Sequence, residues 1–188
     1  MSVSMLWMVS ALDARALDRW APVWTNLFDG YASREDLRAR WRRWLDDGQP
    51  DESFAQMFSA VAHGGWKDFW EFSNECASEL LTDVHVTRRC SAPEAFFHAI
   101  GPARARSLPG FLGNFVLKPG ELPALLPGIL AAFSFPPHER IQVRDRVDEA
   151  LADSAPRDID DVLDTLPRRA RWAADNTMGL VSICQAIM

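Results

Sequence analysis

Six polar residues from two neighbouring segments form the best candidate for a ligand-binding site. They are Lys67, Asp68 and Glu71, on a predicted helix, and His85, Arg88 and Arg89, on or just after a predicted strand. A pocket near the sheet edge would bring both signs of charge together, and the two adjacent arginines could bind an anionic group. A solvated arginine pair at the end of a strand is the alternative interpretation.

The sequence lacks the short motifs that identify the commonest catalytic and cofactor sites. The patterns G-x-x-x-x-G-K-[ST], G-x-G-x-x-G, G-x-S-x-G and H-E-x-x-H are all absent. No two histidines stand three or four residues apart on one helix, and the three cysteines include no C-x-x-C pair. We therefore predict no catalytic residues, no metal site and no cofactor, and the sequence favours binding over catalysis.

Acidic residues on two consecutive helices near the C-terminus form the largest surface of a single charge sign. Those that we assign to partner binding are Asp148, Glu149, Asp153, Asp160, Asp161 and Asp164. A negative surface steers basic partners and excludes anionic ones, which suits a protein that blocks a cationic nuclease or toxin. Ordinary solvated helix faces with i, i+4 ion pairs, such as Arg144 with Asp148, are the other interpretation.

A cluster of arginines interleaved with tryptophans gives a superficial likeness to a nucleic-acid surface. The cluster consists of Arg34, Arg38, Arg40, Trp41, Arg42, Arg43 and Trp44. Helical spacing places both tryptophans on the buried stripe, and flanking acidic residues neutralise the arginines. Together with a formal net charge of -6, this argues against nucleic-acid binding.

These candidates must be positioned by a mostly helical chain with about four short strands. Strands are predicted near 3–9, 84–87, 111–117 and 180–187, with His85 on the face of its strand opposite to Val84 and Val86, and amphipathic helices fill most of the rest. The first helix should begin at Ser10, be disturbed by Pro22 and end in a turn at Asp29 and Gly30, and Ser91 with Glu94 forms a capping box for a later helix. Helical stripes are predicted over 51–63 and from Ile159 to Ala170, and in the polar helix near 138–152 the anchors are Ile141, Val147 and Leu151. No linker-like segment interrupts the 188 residues, so we predict a single compact α+β domain spanning 1–188. Its small mixed sheet would hold the first and last strands together.

The stretch AHGGWKDFWEFSNECASELL, residues 62–81, raises the question of whether its aromatic residues form core or a recognition surface. Its spacing predicts a buried helical stripe, with the polar residues on the other side. The stripe comprises Trp66, Phe69, Trp70, Ser73, Ala77 and Leu80. Phe72 falls outside it, and the glycine pair allows a tight turn against the preceding helix.

Compartment and origin are also suggested by the composition. The N-terminus lacks the basic region of a signal peptide, and the most apolar later run, residues 122–135, is short and contains two prolines. We therefore expect a cytoplasmic protein with no membrane partner. Eighteen arginines against two lysines suggest a GC-rich and bacterial genome.

Four segments of the chain carry a resemblance: the opening SMLWMVSALDARAL, the helix GGWKDFWEF, the passage FVLKPGELPALLPGIL and the ending RRARWAADNTMGLVSICQ. Together they resemble the YfbM-like group of small uncharacterised bacterial proteins. The resemblance covers the two ends and the middle of the chain and rests on the order of elements. It implies a single α+β domain and supplies no catalytic residues. Members of that group usually carry a tryptophan and a histidine together in the middle helix, where this chain has Trp66 and Lys67.

Three functional hypotheses follow from these observations. The first is an immunity or antitoxin-like protein that masks a partner sterically and electrostatically, motivated by small size, net acidity and the lack of catalytic motifs. The alternative is a small-molecule-binding protein or an unrecognised enzyme with a pocket near a sheet edge. The third is a self-associating homo-oligomer that uses apolar surface around Phe72 or the proline-broken segment.

Overall fold

The structure is a computed structural model that describes residues 4–48, 52–76, 80–88, 90–151 and 159–187. Within these ranges the strands are β1 (Ser4–Leu12), β2 (Thr82–Thr87), β3 (Phe115–Leu117) and β4 (Gly179–Ile187). The helices are α1 (Ala14–Ser33), α2 (Glu35–Asp47), α3 (Glu52–Val61), α4 (Trp66–Cys76), α5 (Ala92–Ala105), α6 (Leu122–Ala132), α7 (Pro137–Ala150) and α8 (Ile159–Asp175). The predicted α+β class is therefore confirmed.

The four strands form one sheet in the order β2-β1-β4-β3. β1 and β4 pair along their whole length, from Ser4 opposite Ile187 to Leu12 opposite Gly179, which confirms that the first and last strands lie together. Every pairing in the sheet is antiparallel, so the expectation of a mixed sheet was wrong. Short apolar runs predict where strands lie. Whether two strands pair parallel or antiparallel depends on the direction in which the intervening helices bring the chain back to the sheet.

Helices cover both faces of this sheet. Trp7, Val9 and Ala11 of β1 face the larger core, to which α2, α3 and α5 to α8 contribute. Leu6, Met8 and Leu12 point the other way, into a second core formed with α1 and α4. Because successive strand residues point to opposite faces, the two cores lie on opposite sides of β1.

Two boundaries near the N-terminus differ from the predictions. The expected helix start at Ser10 was wrong, because β1 continues to Leu12 and Asp13 caps α1 by accepting a hydrogen bond from the Ala16 backbone N–H (2.8 Å). α1 then runs for 20 residues through Pro22 and past the predicted turn at Gly30. Its buried residues Trp20, Trp24 and Phe28 pack against the sheet core, and this packing outweighs the local helix-breaking tendency.

The amphipathic patterns of α3 and α8 are confirmed, whereas that of α7 needs a correction. Val143 and Val147 of α7 are buried, but the predicted anchor Ile141 is 58% exposed. The helix is rotated so that Val143 replaces Ile141 in the core. Ile141 therefore lies on the surface as an isolated apolar residue.

Candidate functional site

His85 is a packing residue in the described structure and faces away from α4. Its ring stacks on Trp7 with centroids 5.4 Å apart, and its Nε2 lies 2.7 Å from Thr165 Oγ1. Asp161 Oδ2 lies 3.9 Å from the same nitrogen. The flanking Val84 and Val86 point outward and are nearly half exposed. The strand alternation is as predicted, and His85 occupies its inward side.

The predicted ligand-binding residues are therefore divided between different surfaces. Lys67 and Glu71 form an ion pair on α4, with Lys67 Nζ 3.7 Å from Glu71 Oε1, and Asp68 is half-buried beside them. α4 packs on the sheet face opposite to the one that buries His85. Arg88 lines a separate cavity beyond the end of β2, and Arg89 lies outside the described residues. The structure does not bring the five described residues together.

The acidic residues of α8 pair with arginines. Arg140 Nη2 donates to Asp160 Oδ1 (2.7 Å) and to Asp164 Oδ2 (2.9 Å). Arg168 donates to Asp161 Oδ1 (2.7 Å). The contacts of Arg140 join α7 to α8, the Arg168 contact lies within α8, and together they neutralise much of the expected negative field. Asp148 and Glu149 are exposed on α7, and Asp153 lies outside the described residues.

α4 presents two tryptophans to solvent, so the predicted stripe was wrong for Trp66 and Trp70, although its member Phe69 is buried as predicted. Ala77 of the stripe lies outside the described residues. Trp66 is 40% exposed and Trp70 is 43% exposed, whereas Phe69 and Phe72 are completely buried. The two tryptophan rings contact each other edge to face with centroids 5.3 Å apart. Leu80, also expected inside, is 81% exposed. The stretch is thus core on one side and exposed aromatic surface on the other.

The reason for this orientation is the packing of Phe72 against two tryptophans of α1 in the second core. Phe72 fits edge to face against both Trp20 and Trp24, at 5.5 Å from each ring centroid and an interplanar angle of 80°. Edge-to-face contacts of this kind favour the buried position for Phe72 beyond the area that it buries. Phe69 and Phe72, three residues apart, consequently anchor the helix, and Trp66 and Trp70 are turned outward.

A cavity of about 340 Å³ opens between α3, the end of β2 and the start of α5. Its lining brings together side chains from four parts of the chain, including Met5, Ser59, His63, Arg88 and Glu94. A larger cavity, of about 640 Å³, lies beside α6 and α8. Of the charged groups on that larger cavity, Asp164 and Arg168 are already in ion pairs and Arg171 is exposed to solvent. The smaller cavity is therefore the better candidate for a site.

Among the described carboxyl groups, that of Glu94 has the most strongly shifted pKa. Ser91 and Glu94 form the predicted capping box of α5: Ser91 Oγ accepts from the Glu94 N–H (3.1 Å), and the Glu94 carboxyl accepts from the Ser91 N–H. Burial raises the pKa of Glu94 to about 7, against a smaller lowering by that hydrogen bond. A carboxyl that titrates near neutrality in a cavity is a feature of functional sites.

A second cavity of about 220 Å³ shares Ala55, Cys90 and Glu94 with the first, so the two adjoin at Glu94. His98 lines this second cavity one helical turn beyond Glu94. Burial, followed by the positive charge of Arg146, lowers the pKa of His98. Sequence reasoning missed this pair, although an acid and a histidine at i, i+4 on one helix were a readable signal.

The cysteines near Glu94 have structural roles. Cys184 is fully buried, and burial raises its pKa to about 12, which keeps the thiol protonated. Cys90 Sγ donates to the Ala150 carbonyl oxygen (3.2 Å). Across the described ranges no group of three or more His, Cys, Asp or Glu side chains is arranged to hold a metal ion.

Comparisons with known proteins give no relative for this chain. No family model, no curated protein and no solved structure matches it. Membership of the YfbM-like group therefore stays a prediction. Among the described helices, none has the length and apolarity needed to cross a membrane.

Proposed function

We propose that this chain is a non-catalytic bacterial protein that binds another protein in the cytoplasm, as an immunity or antitoxin-like partner does. The recognition surface is the outer face of α4, defined by Trp66 and Trp70 with the flanking Lys67 and Glu71. The observation that carries the proposal is the exposure of two contacting tryptophans at 40% and 43% on a helix already anchored by Phe69 and Phe72.

The chemistry of this face supports a protein partner. Tryptophan is enriched among the few residues that dominate binding energy at interfaces, and exposed contiguous apolar surface favours such a role. The Lys67–Glu71 ion pair borders the aromatic pair with both signs of charge, as expected for a polar rim. The partner should therefore present an apolar pocket or aromatic residue surrounded by polar groups.

Electrostatics have a secondary role in this proposal. The net charge of -6 attracts a basic partner at long range, which raises the association rate more than the final affinity. Asp160, Asp161 and Asp164 are engaged by arginines, so the exposed Asp148 and Glu149 of α7 supply the remaining local charge. Contacts made by the tryptophan face then hold the complex together, and the bound chain masks the partner sterically.

The test compares Trp70→Ala with Ile141→Ala, because both positions are exposed apolar side chains and lie on different helices. A partner is first identified by capture and crosslinking in lysate, purified, and titrated against each variant by calorimetry. We expect Trp70→Ala to weaken binding by about 30-fold or more and Ile141→Ala to leave it unchanged. Equal losses, or none for Trp70→Ala, would contradict the assignment of α4.

Sedimentation of the protein alone separates self-association from binding of a different partner. A dimer that dissociates on Trp70→Ala would identify the partner as a second copy of the chain, and the immunity hypothesis would fail. Neutralising Asp148 and Glu149 together should slow association and reduce its salt dependence, with little change in the dissociation rate.

A further inference from the structure

The cavity beyond the end of β2, lined by Arg88 and Glu94, lies apart from α4 and carries two opposite charges. Both residues line the same space of about 340 Å³. Within the described ranges neither side chain has an ion-pair partner within 4 Å, and the carboxyl of Glu94 accepts only the Ser91 N–H. An ionised carboxyl withdrawn from water without a cation is costly, so a cation that enters the cavity would be held by the ionised form of Glu94, which it stabilises.

The surroundings of the two charges suit a small ligand with a short apolar part. Ser59 offers a hydroxyl on the α3 side of the cavity. The adjoining cavity of about 220 Å³ is bordered by Phe54, Ala95 and Ala150. These walls can accept methylene groups while the charged ends of a ligand meet Glu94 and Arg88.

We propose that this cleft binds a small zwitterion whose ammonium group pairs with Glu94 and whose carboxylate pairs with Arg88. A simple carboxylate would leave Glu94 without a cation, and a simple amine would forgo the charge-assisted contact with Arg88, which is exposed at the mouth of the cavity. A ligand with both charges makes both contacts at once. This site is independent of the partner-binding face on α4.

Binding is coupled to the protonation of Glu94. Among the described residues, the other titratable groups around it are His63, Arg88 and Cys90 at the cavity, Cys184 on β4, and His98 one turn along α5. Arg146 and Glu149 of α7 face His98 in turn. Burial raises the pKa of Glu94 to about 7, and pairing with ammonium requires the carboxylate. Affinity should therefore rise about tenfold from pH 6 to pH 8, with release of a proton.

Calorimetry with a homologous series of probes tests the proposal directly. The probes are the unbranched ω-amino acids from glycine to 6-aminohexanoate, with n-butylamine and butanoate as ligands of a single charge. We expect one chain length to bind at least about tenfold more tightly than either single-charge ligand. The preferred length then measures the distance between Glu94 and Arg88.

Matched variants separate this site from an unspecific cavity. Glu94→Gln keeps the acceptor for the Ser91 N–H, and with Arg88→Gln it should weaken the best probe by about tenfold or more. His138→Gln, at a histidine of α7 outside both cavities, should preserve both affinity and its pH dependence, and the melting temperature of each variant reports folding. The proposal is overturned if no ω-amino acid binds, if butanoate binds equally well, or if Glu94→Gln leaves binding unchanged.

Discussion

Replacing Phe72 and Trp70 separately by alanine tests which side of α4 is buried. Phe72 is fully enclosed and contacts Trp20 and Trp24 edge to face, so Phe72→Ala loses the transfer energy of the ring and leaves a cavity. The expected loss in the free energy of unfolding is about 3 to 5 kcal/mol. Trp70 is 43% exposed and its removal leaves no enclosed cavity, so Trp70→Ala should cost only about 1 to 2 kcal/mol.

The assay is equilibrium unfolding in urea, followed by circular dichroism at constant pH. We expect the urea concentration at half unfolding to fall more for Phe72→Ala than for Trp70→Ala. The slope of the free energy of unfolding against urea concentration should stay the same. In thermal melts the difference of about 2 kcal/mol corresponds to roughly 4 to 8 °C for a chain of this size. The helical stripe read from the sequence predicts the reverse order, so a larger loss for Trp70→Ala would refute the orientation described above.

Three further predictions concern buried charge, pH and thiol reactivity. Asp83 accepts hydrogen bonds from the buried Arg169 at 2.8 Å. Asp83→Asn should therefore lower the free energy of unfolding by about 3 kcal/mol in urea titrations. Lys67→Ala removes one partner of the exposed ion pair on α4 and should lower it by less than about 1 kcal/mol. The pKa of Glu94 is raised from 4.5 to about 7; the folded state therefore binds more protons between these values, and its stability falls as pH rises through that window. Glu94→Gln should accordingly stabilise the protein by about 2 to 3 kcal/mol at pH 8 and not at pH 4.5; equal effects at both pH values would contradict this. Burial raises the pKa of Cys184 to about 12 and that of Cys76 to about 11, so iodoacetamide at pH 8 should alkylate both slowly until urea unfolds the chain, as mass spectrometry of the peptides would record.

Much of the fold was readable because hydrophobic periodicity reports secondary structure locally. The stripes of α3 and α8, the capping box at Ser91 and the strands at both chain ends were all found from spacing alone. The prediction failed where a local signal met a tertiary constraint. Pro22 suggested a disturbed helix, but packing of α1 on the sheet carries the helix through it.

The candidate site was predicted less well because convergence of side chains is a tertiary property. Lys67 and His85 are close in sequence, yet they belong to opposite sides of the sheet. Glu94 was interpreted only as a helix cap, since nothing in its neighbours along the chain reveals the burial that raises its pKa. The residues that share its cavity come from β1, α3 and the end of β2.

The sequence by itself determined the α+β class, the approximate helices and strands, and the pairing of the chain ends, because these depend on periodicity and turn chemistry within short windows. The tertiary structure alone decided which aromatic residues of α4 are exposed, since the edge-to-face fit of Phe72 with Trp20 and Trp24 fixes the rotation of the helix. It also decided that the α8 acids pair with arginines and that Glu94 lies partly buried at a cavity. Charge pairing and desolvation depend on distances between segments far apart in the chain, and these distances exist only in the folded molecule.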